Sequence, residues 1–142
     1  MKRLNLLFFF VLTLLNVHAQ GWPSKYQGVM LQGFYWDSYG DTQWSNLSNQ
    51  ADELSKYFSA IWVPQSGYCN TTSNQMGYAP VWWFKHTSAF GSETELRSMI
   101  KTFKEKNVDI IEDVVINHRN GNKSWFDFPE ETWNNQTTHW SL

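Results

Sequence analysis

The chain predicts an α/β fold with a parallel sheet, and three observations carry that reading. Residues 108–116 form a run rich in β-branched residues, with carboxylates inside it at Asp109, Glu112 and Asp113, and about the length of a buried strand. A helix signal precedes that run: Ser92-Glu93-Thr94-Glu95 is a capping box, with Ser92 at N-cap and Glu95 three residues on. Earlier still, short strand-like runs alternate with a second helical pattern, and that alternation argues for strands laid parallel.

Taken in order, Met1-Lys2-Arg3 is a basic start, and residues 4–15 are apolar apart from Asn5 and Thr13. Val17-His18-Ala19 then offers small residues at the two recognition positions, with cleavage before Gln20. Residues 1–19 therefore have the pattern of a signal peptide. The apolar run is shorter than the roughly 20 residues that span a bilayer. The expectation is a secreted or periplasmic protein with no membrane attachment after cleavage.

Residues 28–37 contain the first strand. The next element is a helix over about 44–58, whose apolar positions Trp44, Leu47, Ala51, Leu54 and Tyr57 or Phe58 recur at helical spacing. Asp41 or Thr42 is the expected cap. Ala60-Ile61-Trp62-Val63-Pro64 is a short strand, and Pro64 ends its ability to donate to a ladder. A long aromatic loop leads to the capped helix, whose expected buried face is Leu96, Met99, Ile100 and Phe103. In the strand that follows, Asp113 sits inside an apolar run and needs a partner. Past Ile116 the chain turns polar at Asn117-His118-Arg119-Asn120-Gly121-Asn122. The strand thus delivers an amide and an imidazole to the end where α/β folds bind ligands. Val29, Leu31, Ile61, Val63, Val114 and Ile116 are expected to share the face away from the helices.

The net charge of −2 gives no basic footprint, so nucleic acid is not an expected partner. No strand is followed by a glycine-rich phosphate loop. The single cysteine, Cys69, excludes an intrachain disulfide and reads as a buried free thiol. Nine tryptophans are many for this length, and several fall on expected loops.

Asp113-Val114-Val115-Ile116-Asn117-His118 resembles the first sequence motif of the α-amylase family of glycoside hydrolases, family 13. Residues 28–37, 60–64 and Met76-Gly77-Tyr78-Ala79-Pro80 resemble, in the same order and spacing, that family's first strand, second strand and active-site loop. The resemblance implies the N-terminal part, about three strands, of a (β/α)8 TIM barrel. Residues 20–119 would be barrel, and 120–142 the start of the protruding domain B. After signal removal about 120 residues remain, whereas such a barrel takes about 250.

The resemblance also implies roles. Tyr78 would stack under the sugar at the cleavage point, and His118 would donate a hydrogen bond to a sugar hydroxyl there. Asp113 would support its neighbours. Asn117 would be one ligand of a structural Ca²⁺, which takes six to eight oxygens. The family's three carboxylates come from later strands, and Asp37, Asp41, Glu112 and Asp113 do not match them. No catalytic residue is assigned in this chain, which alone is expected to be inactive. The implied parent is a retaining hydrolase of α-1,4-glucans such as starch, glycogen or maltodextrin. The rival is a non-catalytic secreted glycan-binding protein on a degenerate barrel.

Overall fold

The computed structural model describes residues 25–69, 75–121, 130–133 and 136–137. The expected signal peptide lies outside the described residues, as does most of the stretch assigned to domain B. Among the described residues no helix is long and apolar enough to cross a membrane.

Three strands form one parallel sheet: β1 (Met30–Gln32), β2 (Ala60–Val63) and β5 (Asp109–Glu112), with β2 in the middle. Met30, Ala60 and Asp109 lie level across it, as do Gln32, Trp62 and Ile111. All three strands therefore end on the same side. Beyond them, Asp113 N–H donates to Val63 O at 2.9 Å. The ladder stops there because Pro64 follows Val63 and has no N–H to give. The β-branched run continues to Ile116, but Val114 is 59% and Ile116 78% exposed.

Helices cover one face of the sheet. The stretch expected as a single helix over 44–58 is two short helices, α1 (Trp44–Asn49) and α2 (Ala51–Leu54), broken at Gln50. Gln50 has φ −95° and ψ 1°, and its N–H bonds back to Leu47 rather than a full turn away. The expected caps do not act. The N-cap is Gln43, without a side-chain cap bond. Thr42 instead donates to Ser38 O at 3.0 Å, and Asp41 accepts from the Tyr35 hydroxyl. Both are spent on closing the short 3-10 turn Ser38–Gly40.

Helix α3 (Glu93–Glu105) starts at the expected capping box, formed in both directions between Ser92 and Glu95. Its buried face is Leu96, Met99 and Phe103; Ile100, expected there, is 39% exposed at the margin. These side chains meet Trp44, Leu47 and Ala51 and close the core over Ile61, Val63, Phe34 and Phe90. Ile61 and Val63 therefore face the helix layer, not the open side to which they were assigned. Alternation along a short strand does not say which face the helices will take.

Between β2 and α3 the long loop carries an antiparallel pair, β3 (Tyr68–Cys69) with β4 (Pro80–Trp82). Cys69 is buried and free, and burial pushes its thiol up to about 11. A second small pair, β6 (Thr132–Trp133) with β7 (Gln136–Thr137), follows β5.

Candidate active-site platform

The groups that gather beyond the strand ends come from three connections. After β1 the chain runs through buried Phe34 to Tyr35 and Trp36, both exposed, and turns at Asp37 with φ 65°. After β2 the loop presents Tyr78. After β5 come Asp113, Asn117 and His118.

Tyr78 is the hub. Its hydroxyl donates to Asp113 Oδ2 at 3.0 Å, which supplies the partner that Asp113 needed inside an apolar run. Its backbone carbonyl accepts from His118 Nε2 at 2.8 Å. The Trp36 indole lies nearly parallel to its ring, 10° apart in plane with centroids 6.1 Å apart. At that separation two parallel rings are offset and form a step. Partial burial, then the hydrogen bond to Asp113 and its negative charge, push the Tyr78 phenol up to about 12.

The His118 bond fixes a tautomer. A carbonyl can only accept, so the imidazole hydrogen sits on Nε2 and the neutral ring keeps Nδ1 as an acceptor. The donor that the resemblance assigns to a sugar is therefore engaged with Tyr78 in this structure. Three of the four residues singled out from sequence, Tyr78, Asp113 and His118, form one hydrogen-bonded unit. Asn117 is exposed beside them. Among the described residues no group of three or more His, Cys, Asp or Glu could hold a metal. Asn117 has one amide oxygen to offer, and Ca²⁺ takes six to eight oxygens.

Sequence reasoning missed two features. One is Trp36, 71% exposed on the platform; its signal was a cluster of aromatics just past a strand end. The other is the buried pair Arg119–Glu131, with nitrogen and oxygen 3.5 Å apart. Arg119 also donates to Val81 O and lies over the Trp83 ring, 4.8 Å from its centroid. Glu131 accepts from Phe84 N–H at 2.9 Å. Burial lowers the Arg119 pKa and the Glu131 charge opposes that; a guanidinium stays charged regardless. This knot packs most of the aromatic run 81–84 against the chain after β5.

Comparison with known proteins gives the same picture. The family described as "Alpha amylase, catalytic domain" matches residues 36–142. Probable alpha-amylase 2 of Arabidopsis thaliana is 33% identical over 94 residues, covering 66% of this chain and 22% of that protein. An alpha-amylase of Bacillus licheniformis is 29% identical over 127 residues, covering 82% of this chain and 25% of that protein. The chain thus spans about a quarter or less of these relatives. Alpha-amylase I of Eisenia fetida, solved as a variant in complex with maltohexaose, superposes with a TM-score of 0.55 at 26% identity, over 66% of this chain and 19% of that one. Three parallel strands with helices on one face, and a matched catalytic-domain profile over most of the length, place the chain in the α-amylase family as part of a (β/α)8 barrel catalytic domain.

Proposed function

We propose that this chain is the N-terminal, substrate-positioning part of a secreted α-amylase-type glycosidase that hydrolyses α-1,4-glucans with retention of configuration. The observation that supports this most directly is the Trp36–Tyr78 step held by Asp113 and His118 at the common end of three parallel strands. An aromatic face receives the C–H groups of a pyranose, and a second offset ring widens the platform toward the next sugar. Asp113 fixes the height of the phenol. His118 fixes the Tyr78 backbone and offers Nδ1 to a sugar hydroxyl, which can donate as well as accept. Retaining cleavage needs two carboxylates about 5–5.5 Å apart. In this proposal they lie in a longer protein containing this chain, together with the remaining oxygens around a Ca²⁺ to which Asn117 contributes one.

The experiment is kinetics of the longer protein on an α-1,4-glucan. Tyr78→Ala and His118→Ala should each lower kcat/KM by about 10- to 1,000-fold, with kcat falling too, since each removes a contact to the sugar and also a bond that holds the platform, and one well-placed polar group at a transition state is worth up to about 4 kcal/mol. Trp36→Ala should act mainly on KM. Wild-type kinetics in Tyr78→Ala and His118→Ala would remove the platform from the mechanism. Absence of reducing-end release by the unmodified protein, with retained glucan binding, would favour a glycan-binding protein instead.

A further inference from the structure

Gln65 follows Pro64 at the end of β2 and is only 4% exposed. A buried primary amide needs partners, and this one spends both ends on backbone. Its Oε1 accepts from Gly67 N–H, and its Nε2 donates to the Gly77 carbonyl at 3.4 Å. One partner only donates and the other only accepts, so a single amide orientation satisfies both. Neither a carboxylate nor an alkyl chain of the same length can do so.

Both glycines lie tight against Gln65, Gly77 against its backbone and Gly67 against its amide. Gly77 has φ 92°, and a Cβ there would stand 2.8 Å from the Gln65 backbone O. A Cβ on Gly67 would stand 2.8 Å from Gln65 Nε2. The next residue anchors the corner from outside: Ser66 N–H donates to Glu112 Oε1 at 2.9 Å, and Ser66 Oγ pairs with His86 Nδ1 at 2.7 Å. Gly77 is the immediate neighbour of Tyr78. The amide therefore reaches across the loop, from the end of the central strand to the peptide that joins Gly77 to Tyr78.

We propose that Gln65 is a positioning residue for Tyr78: by holding the Gly77 carbonyl it sets the ring where Asp113 and Trp36 meet it. Its consequence for turnover rests on the platform reading above. Gln65 contacts no substrate and acts only through the loop it braces.

The test uses the longer protein with Gln65→Glu and Gln65→Met, each alone and combined with Tyr78→Ala. Gln65→Glu sets a carboxylate against the Gly77 carbonyl; Gln65→Met keeps the length and removes both bonds. Each should lower kcat/KM on a maltooligosaccharide by roughly tenfold, within the coupling expected inside one hydrogen-bond network. In the Tyr78→Ala background the same substitutions should change it less than about twofold. Independently of activity, the phenol of Tyr78, followed as the difference from Tyr78→Phe, should titrate lower in Gln65→Met as the ring leaves Asp113. Equal losses in both backgrounds, or an unmoved phenol titration, overturn the proposal. If Tyr78→Ala itself turns over normally, the platform reading falls and the phenol titration alone decides for or against positioning. If Gln65→Glu does not fold, Gln65→Met carries both measurements.

Discussion

Tyr78 and Asp113 are 35 residues apart in the chain and 3.0 Å apart at their oxygens, and the phenol is the donor. The bond joins the loop after β2 to the end of β5. It also ties protonation to folding. The folded phenol titrates at about 12, above an ordinary tyrosine near 10. The fold therefore holds the proton more tightly than the unfolded chain does. Its stabilising share is complete below pH of about 10 and is lost as pH rises toward about 12. Denaturant midpoints of the longer protein across that range should fall, and Tyr78→Phe should flatten the fall. A parallel fall in both proteins would refute the assignment.

Removing one member of the buried ion pair should be costly. Glu131→Gln leaves the Arg119 guanidinium in a site 3% exposed without its carboxylate. The expected loss is about 3–5 kcal/mol by chemical denaturation. Replacing both residues with apolar side chains should cost less than the single change. A loss under about 1 kcal/mol for Glu131→Gln would show that water reaches the pair.

Calcium makes a prediction that can be read without activity. A ligand that binds only the folded state stabilises by about 2.7 kcal/mol at 100 times its dissociation constant. The longer protein should melt lower in chelator than in Ca²⁺, and Asn117→Ala should shrink the difference. An unchanged melting midpoint in chelator would sink the role of Asn117.

The chain expressed alone should fold poorly and release no reducing ends from starch. Strands β1 and β5 each have an outer edge without a ladder partner among the described residues. Val29, Met30, Val114 and Ile116 are exposed beside those edges. Each large aliphatic side chain left in water forgoes about 1.5–3 kcal/mol, against net stabilities of about 5–15 kcal/mol. A soluble monomer with a sharp cooperative denaturant transition would contradict this.

Where the sequence spoke locally, it was legible. The Ser92–Glu95 box is a four-residue signal and sits where it was placed. The β-branched runs gave β2 and β5, and the collinear family motifs gave the barrel order. What depended on distant partners was not legible. Gln50 breaks a helix whose residues are mostly polar and form helix weakly, a balance that tertiary packing decides. Val114 and Ile116 read as strand interior, but the ladder ends where β2 reaches Pro64, a fact held in another segment. Glu131 lies in a stretch without periodicity, so nothing marked it as the partner of Arg119. At the site, Tyr78, Asp113 and His118 were named singly; that they form one unit required the fold.

The aromatic hairpin has a consequence for how this protein can be altered. Val81 O is taken by Arg119, Trp83 Nε1 by Val115 O, Phe84 N–H by Glu131 and Lys85 O by Tyr68 N–H. A segment with so many of its groups committed cannot accept insertions or shuffled residues without releasing several anchors together. Anyone seeking a changed glucan preference in the longer protein should randomise Trp36 instead, whose exposed ring rides on a short turn, where a failed variant risks the stack on Tyr78 and not the fold.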